Sequence, residues 1–385
     1  MRVFLVAGEA SGDKLGAALM AGLKELQPSV TFDGVGGPLM QAQGLSSRFP
    51  MEELSVMGIA EVLPKYRALK ARIRETAQAV VDTQPDVLIS VDSPDFSFRV
   101  AKLVRAQSKV RTVHYVAPTV WAWRPDRAAK IAQYIDHLLA LFPFEPPYFT
   151  PHGMDCDFVG HPIASEPTAK EDDVAALRSR YGLGDAPIFL VLPGSRRGEV
   201  SRLQEVFGKA LEQFLRKSPE RKVLVPAAPG VADLVTQAVA DWPVPAIVLD
   251  PNDAGVEEFE VLKRAAFGTA DLALAASGTV SLELAAADTP MVIAYRMHWL
   301  TARIIGAMLR IDTVTLVNLV SNTRVVPEYL GAACTPEQIS NALIEVSGAP
   351  QPQLDAMRVT MERLGRGQTP AGLRAAQAVL NRMNT

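Results

Sequence analysis

Cysteine is scarce in this chain of 385 residues, which contains only Cys156 and Cys334. Two cysteines cannot form a framework of several disulfides, and their separation in the sequence fits no zinc motif, so a reducing cytoplasm is expected. No stretch approaches the roughly 18 uninterrupted apolar residues of a membrane-spanning helix. The apolar run at the N-terminus is too short for the core of a signal peptide. These absences predict a cytoplasmic protein that does not cross a membrane.

The chain also lacks a large excess of positive or negative charge, since 39 basic and 42 acidic residues give a formal net charge of -3. Such a chain has no global attraction to nucleic acid, so any anion must be bound by a local site. Hydrophobic residues make up 48% of the sequence and charged residues 21%, which is typical of a globular protein. At about 150 residues per domain, the length predicts two domains.

What the sequence does contain is a repeated alternation of short apolar runs with helical patterns, which is typical of parallel α/β folds. The predicted strands of the first half are Val3–Val6, Val87–Val91, Thr112–Val116 and Leu138–Phe142. Those of the second half are Ile188–Leu192, Val223–Pro226, Ala246–Leu249, Leu272–Ala276 and Met291–Tyr295. We therefore predict two doubly wound domains facing a cleft, over residues 1–163 and 164–365, with a C-terminal helix at about 366–385 packing back on the first.

The second half lacks both G-x-G-x-x-G and the Walker lysine, yet two of its strands run into turns suited to an anion. In ASGTVSLEL, the amides of Ser277–Thr279 and the helix start could hold a phosphate, while Glu283, one turn later, could accept hydrogen bonds from a ribose. In PGSRRGEV, Gly194 permits a tight turn and Arg196 offers a guanidinium fork. The alternatives are an ordinary capped helix start and arginines that simply pair with Glu199.

The first half offers two comparable turns. GEASGD could cradle an anion or sugar hydroxyl with Ser11 and Gly12, or its Ser11 and Asp13 could cap the helix. In the run PDVLISVDSPDF, Asp92 lies just past a buried strand and is the candidate general base, with Asp95 as its rival.

Aromatic side chains follow the next strand, in HYVAPTVWAWRPDR. Trp121 and Trp123 could stack on a sugar or line an acyl groove, or they could fill the core. His114 could act as a base, although a lone histidine at a strand end more often makes a structural hydrogen bond. Asp155 and Asp157 form a D-x-D, but they have no further ligand cluster beside them, so we do not predict a metal site there.

Taken in order, these motifs resemble the lipid-A-disaccharide synthase family over nearly the entire chain. The matching segments are GEASGD, MEELSVMGIAEVL, DSPDF, HYVAPTVWAWR, GHP, LPGSRRGEV, ASGTVSLELA and VNLV. The resemblance implies a GT-B glycosyltransferase that transfers 2,3-diacylglucosamine from its UDP conjugate to 2,3-diacylglucosamine 1-phosphate. Inversion at the anomeric carbon would give the β-1,6-linked disaccharide 1-phosphate and UDP, as part of lipid A and lipopolysaccharide biosynthesis.

The resemblance also implies roles for particular residues. Asp92 would be the catalytic base, and no metal or cofactor is expected. The donor nucleotide would contact Gly194, Ser195, Arg196, Ser277, Gly278, Thr279, Glu283 and Asn318. The acceptor side would include Glu9, Ser11, Gly12, Asp13, His114, Trp123 and Arg124. Two alternatives stay open: a UDP-sugar epimerase of the same two-domain fold, and a non-catalytic nucleotide-sugar-binding protein, against which the missing signal peptide counts.

Substrates with acyl tails imply peripheral contact with the cytoplasmic face of the inner membrane. The stretch EVLPKYRALKARIR sets four apolar residues at helical spacing among cations, as an interfacial helix does. These membrane-contact candidates are Leu63, Tyr66, Leu69 and Ile73. Residues 298–310, with Trp299, are a second candidate, although such stripes more often face a core. Nucleic acid is not an expected partner, and the oligomeric state is left open, with a homodimer among the options.

Overall fold

The computed structural model describes residues 1–54, 59–296 and 310–383, with residues 59–66 described through their backbone. The chain divides into two compact units. The first consists of Met1–Ser165 together with Leu364–Thr385, and the second of Glu166–Arg363.

The first unit is built on a parallel sheet, in which six strands lie in the described residues in the order β2-β1-β3-β4-β5-β6. Its strands are β1 (Arg2–Ala7), β2 (Thr31–Val35), β3 (Val87–Val91), β4 (Arg111–Tyr115), β5 (His137–Ala140) and β6 (Asp155–Phe158). Its first helices are α1 (Ala10–Leu26), α2 (Pro38–Ala42), α3 (Ile59–Thr83), α4 (Pro94–Arg105), α5 (Val120–Trp123) and α6 (Arg127–Ile131). Short 3₁₀ turns lie at Met51–Glu53, Pro146–Tyr148, Thr150–His152 and Pro162–Ser165.

The second unit repeats this plan, and its described residues contain six parallel strands in the order β12-β11-β10-β7-β8-β9. These are β7 (Ile188–Leu192), β8 (Lys222–Pro226), β9 (Ile247–Leu249), β10 (Leu272–Ala275), β11 (Met291–Tyr295) and β12 (Glu328–Leu330). The helices are α7 (Glu171–Arg180), α8 (Arg197–Leu215), α9 (Ala232–Ala240), α10 (Val256–Thr269), α11 (Val280–Ala286), α12 (Leu316–Ser321), α13 (Pro336–Gly348) and α14 (Gln351–Leu364). Further 3₁₀ turns lie at Pro251–Asp253 and Gly331–Ala333. The predicted fold class, α/β with two Rossmann-like domains, is confirmed.

The last helix, α15 (Ala371–Met383), belongs to the first unit and packs against α1. The two helices touch through glycines: a Cβ on Gly22 would lie 2.9 Å from the carbonyl oxygen of Gly372. Any larger side chain at either position would force the helices apart, so the glycines fix the close crossing.

Three strands, β2, β6 and β12, were not predicted from the sequence. All three are edge strands. Their residues are only partly buried, so they lack the continuous apolar run that marks a strand covered on both faces. β6 carries the D-x-D as Asp155 and Asp157, on an edge where their carboxylates reach cations.

The membrane prediction needs correction in α3. Ile73 is 6% exposed and belongs to the core of the first unit, and Leu69 packs against the same core. Ile73 is buried against side chains of β1 and β3, so in this structure it is not available to a bilayer. The side chains of Leu63 and Tyr66, and residues 298–309 with Trp299, lie outside the described part of the chain. Among the described residues, no helix is both long and apolar enough to cross a membrane.

Candidate functional site

A small pocket of about 190 Å³ lies in the first unit, where β3 and β4 end. Asp92, Trp123 and Arg124 line it, together with Arg127 and the loop after β4. The carboxyl ends of neighbouring parallel strands meet at one edge of a sheet, which is where α/β proteins bind ligands. The structure therefore brings three of the sequence-predicted residues to one pocket.

The backbone around this pocket is strained. Asp92 and Ser93 have φ values of 54° and 44°, and Val116 has φ of 83°. Non-glycine residues rarely adopt positive φ, and for a β-branched residue such as Val116 it is a genuine outlier. Sheet hydrogen bonds hold the conformation, because the Asp92 amide donates to the Tyr115 carbonyl at 2.9 Å and the Val116 amide donates to that of Leu139 at 3.1 Å. Residues held in such conformations cluster at functional sites.

The first turn of α1 supports the Asp92 carboxylate. The Ser11 hydroxyl donates to Oδ2 of Asp92 at 3.2 Å, and the Ser93 hydroxyl lies 3.5 Å from Oε1 of Glu9. A Cβ on Gly12 would lie 3.1 Å from the Val91 carbonyl oxygen, so this glycine lets α1 approach β3 closely. GEASGD and DSPDF, distant in sequence, thus form one corner.

Aromatic rings fix the two cations of the pocket. The Arg124 guanidinium lies 4.4 Å from the Trp123 ring, and that of Arg127 lies 5.8 Å from the Phe98 ring. α5, which carries Trp123, is a single turn of four residues. A turn this short cannot hold its shape alone, so its position depends on what its other side packs against.

Glu145 provides that support, and sequence reasoning missed it. Its carboxylate is 1% exposed and accepts hydrogen bonds from the Trp121 indole at 3.3 Å and from the Leu141 and Phe142 amides at 3.1 and 2.9 Å. Burial raises the pKa of Glu145 to about 7. Glu145 therefore ties α5 to the turn after β5. The only sequence signal for it is a lone carboxylate among the apolar residues of FPFEPP.

Two predicted acceptor residues are buried and make hydrogen bonds within the first unit. Asp13 is 3% exposed, and its carboxylate accepts from the amides of Gly37, Leu39 and Met40 at 2.9 to 3.0 Å. It therefore caps the start of α2. His114 is fully buried within β4, its Nδ1 lies 2.8 Å from the Ser90 hydroxyl, and burial lowers its pKa to about 3. Both side chains are buried and have partners within the first unit, and an acceptor contact by either residue stays a prediction.

The D-x-D aspartates are held by cations. Asp155 pairs with Arg111 at 2.6 Å, and Asp157 pairs with Arg382 at 3.1 Å and with the buried His137 at 2.9 Å. This cluster joins β4, β5 and β6 to the end of α15. These ion pairs give both carboxylates a structural role in the packing of the first unit.

The second unit holds a larger pocket of about 420 Å³. Its walls include Gly194, Arg196, the Ser277–Thr279 turn and Glu283, all predicted to contact one ligand. A Cβ on Gly278, whose φ is 152°, would meet no atom within 4 Å, so the backbone of this turn faces open space. α11 has only seven residues, so the amides of the turn matter more here than the helix dipole that the sequence suggested.

Glu199 organises the turn after β7. Its Oε2 accepts from the amides of Ser195 and Arg196 at 3.1 and 3.3 Å, and the Tyr295 hydroxyl lies 3.3 Å from its Oε1. A Cβ on Gly194 would lie 2.6 Å from Glu199 Cβ, and φ there is 118°, so this turn requires glycine. The amides of Ser195 and Arg196 are therefore occupied. The Arg196 guanidinium lies 3.5 Å from Oε1 of Glu199, but its side chain is 67% exposed, and so long and exposed an ion pair is weak enough for an anion to compete with it.

Lys263 is a pocket residue that sequence reasoning missed. Its ammonium pairs with Glu283 at 2.6 Å, and both side chains are about one-third exposed. Burial lowers the pKa of Lys263, but the Glu283 carboxylate, together with Glu260 and Glu166, more than compensates, so the pKa is raised overall. Lys263 lies on α10, outside every motif, so no pattern pointed to it.

Asn318 is not part of this pocket. It is 1% exposed; its amide nitrogen donates to the Thr313 hydroxyl and the Val326 carbonyl, and its oxygen accepts from the Val326 amide. These bonds use the amide to join α12 to the segment before β12. The predicted nucleotide contact by Asn318 is therefore not supported in this structure.

The comparison that decides the family is a match to the model described as Lipid-A-disaccharide synthetase, over residues 3–379. The chain belongs to this family. The lipid-A-disaccharide synthase of Ruegeria pomeroyi is 65% identical over 100% of this chain and 96% of its own length. That of Rhodospirillum centenum is 48% identical over 98% of this chain and 94% of its own. The family resemblance drawn from the motifs is confirmed.

Solved structures show a similar fold at low identity. A UDP-GlcNAc 2-epimerase from Neisseria meningitidis has a TM-score of 0.63 at 11% identity and covers 100% of both chains. The S. aureus MnaA–UDP co-structure has a TM-score of 0.63 at 12% identity, covering 100% of this chain and 96% of its own. Identities this low establish the fold alone, so the epimerase alternative is not favoured over the disaccharide synthase family.

Proposed function

We propose that the chain is an inverting glycosyltransferase that joins UDP-2,3-diacylglucosamine to 2,3-diacylglucosamine 1-phosphate. The products are the β-1,6-linked lipid A disaccharide 1-phosphate and UDP. The observation that carries this proposal is the family match over residues 3–379, a range that contains every residue of both pockets.

The donor nucleotide binds in the pocket of the second unit. Glu283 accepts hydrogen bonds from the ribose hydroxyls, and Lys263 holds the Glu283 carboxylate in place. The diphosphate binds at the Ser277–Thr279 turn and to the exposed Arg196 guanidinium, which gives up its 3.5 Å ion pair with Glu199 for the ligand. These donors stabilise the negative charge that builds on UDP as it leaves.

Asp92 acts as the general base in the pocket of the first unit. Its carboxylate takes the proton from the acceptor's 6-hydroxyl while that oxygen forms a bond to the anomeric carbon of the donor and the bond to UDP breaks. The Ser11 hydrogen bond to Oδ2 orients the carboxylate, leaving Oδ1 for the substrate proton. A single base and a single displacement give inversion, hence the β-linkage.

The direct test is to incubate the purified chain with both diacyl sugars and to follow UDP and disaccharide. Formation of both supports the proposal, and failure to form either contradicts it. Incubation with UDP-N-acetylglucosamine alone tests the epimerase alternative, which requires a 2-epimer to appear. The disaccharide and the 2-epimer are chemically distinct products, so the two incubations together separate the two functions.

Replacing Glu283 tests the nucleotide site. Glu283→Ala should weaken UDP binding by about 1 to 3 kcal/mol, because a charged hydrogen bond to the ribose is lost. Titration calorimetry measures the change, and Glu257→Ala, on the exposed face of α10, is the matched control that should bind normally. UDP affinity equal to that of the unaltered chain would exclude the ribose role for Glu283.

Peripheral contact with the cytoplasmic face of the inner membrane is part of the proposal, because the substrates carry acyl tails. With Ile73 in the core, the support for this contact comes from the cations Arg67, Lys70 and Arg74, which lie exposed along α3. Each cation near an anionic surface contributes about 1 kcal/mol, and the attraction is screened by salt.

Charge reversal on α3 tests this contact. The Arg67→Glu and Lys70→Glu double variant should bind vesicles containing phosphatidylglycerol at least about tenfold more weakly in co-sedimentation, since two attractive charges become repulsive. Lys102→Glu, an exposed position on α4, serves as the single-charge control. If the double variant binds as tightly as the unaltered chain, α3 does not carry the membrane contact.

A further inference from the structure

The pocket of the first unit contains more positive charge than its own residues neutralise. Arg124 and Arg127 both line it, beside the single carboxylate of Asp92. Within the ranges that the structure describes, neither arginine forms an ion pair. The Arg127 charge extends inward, where it adds to the effect of burial in lowering the pKa of His114. A cation left unpaired in a pocket is available to an anionic ligand.

Both guanidiniums are held in place by aromatic rings, Trp123 at 4.4 Å and Phe98 at 5.8 Å. Stacking on a ring face orients a guanidinium without neutralising it or using its N–H donors. Glu145 supports the same wall from behind through its hydrogen bond to the Trp121 indole. The arginines are therefore positioned before any ligand arrives, which lowers the entropic cost of binding one.

The size of the pocket limits the ligand. Its volume is about 190 Å³, well below the roughly 300 to 1,000 Å³ of sites that enclose a drug-sized molecule. It has room for a group of monosaccharide size. Two guanidinium forks favour phosphate, whose oxygens accept paired hydrogen bonds, over a ligand with one negative oxygen.

We propose that Arg124 and Arg127 bind a phosphomonoester on the acceptor sugar and so select phosphorylated over unphosphorylated acceptors. The inference rests on the proposed function, which supplies an acceptor with a phosphate on one carbon and a reactive hydroxyl on another. A molecule carrying both groups accounts for a carboxylate and two free guanidiniums in the same pocket. The donor diphosphate is the other source of phosphate, but its contacts, Arg196 and the Ser277–Thr279 turn, line a different pocket.

Binding of soluble probes tests the proposal without any turnover. By NMR titration, the unaltered chain should bind glucosamine 1-phosphate at least about tenfold more tightly than glucosamine, and Arg124→Gln should abolish most of that difference. Lys130→Gln is the matched control, because Lys130 lies exposed on α6 and does not line the pocket. Equal affinity of the unaltered chain for the two probes would overturn the proposal, whatever its enzymatic activity.

Kinetics with the lipid acceptors then separate this proposal from the proposed function. The kcat/KM preference for 2,3-diacylglucosamine 1-phosphate over 2,3-diacylglucosamine should fall about tenfold or more in Arg124→Gln and Arg127→Gln, mainly through KM of the acceptor. Arg127→Lys should recover part of it. Variants that keep the preference, or that weaken UDP binding instead, would overturn the phosphomonoester site. Absence of any transfer by the unaltered chain would reject the proposed function, while the probe titrations still decide the phosphate site.

Discussion

Asp92→Asn is expected to lower turnover at least about a hundredfold, the usual scale for loss of a general base. The amide cannot take a proton from the acceptor hydroxyl, yet it has nearly the same size as the carboxylate, and the backbone bond to the Tyr115 carbonyl does not involve the side chain. Folding should therefore be retained. UDP binding should also be normal, because the proposed nucleotide contacts line a pocket of the second unit.

Asp95→Asn is the matched control for this variant. Asp95 lies three residues further on, in the first turn of α4, and is exposed. Steady-state rates of UDP release should be close to normal for Asp95→Asn and strongly reduced for Asp92→Asn. The reverse pattern would transfer the role of base to Asp95, and normal rates for both would remove the general base from this corner altogether.

The central strands could be predicted from the sequence because burial on both faces selects an apolar run. β3 is completely buried and its residues read VLISV. The edge strands are different: β6 reads DCDF, and its aspartates face Arg111, Arg382 and His137 rather than the core. Asp157 of β6 pairs with Arg382, 225 residues further along the chain, and no local pattern reveals such a contact.

For the site, motif order indicated which segments matter but not which way each side chain points. Asp13 lies within GEASGD, yet its carboxylate accepts hydrogen bonds from three amides at the start of α2. Asn318 lies within VNLV, but its side-chain amide donates hydrogen bonds to the Val326 carbonyl and the Thr313 hydroxyl. Glu145 and Lys263 show the converse. Both residues lie outside the motifs. Glu145 supports the wall of the first pocket through its contact with Trp121, and Lys263 lines the second pocket beside Glu283.

The second large effect is expected from a substitution in the buried apolar stripe of α3. Ile73 lies in a core cluster with Phe4, Leu88 and Val100. Ile73→Glu would place a carboxylate among them without a partner, and an unpaired polar or charged group in a core costs several kcal/mol. We expect the first unit to lose about 3 kcal/mol or more of stability, which lowers its melting temperature by roughly 6 °C or more.

Thermal unfolding followed by circular dichroism measures this loss, with Arg74→Glu as the control. Arg74 is the next residue on the same helix and is exposed, so its reversal should leave the unfolding transition nearly unchanged while weakening vesicle binding. The two variants thus separate the core face of α3 from its cationic face. If Ile73→Glu instead unfolds at the normal temperature and fails to bind vesicles, Ile73 contacts the bilayer, and the packing of α3 against β1 and β3 is not its state at a membrane.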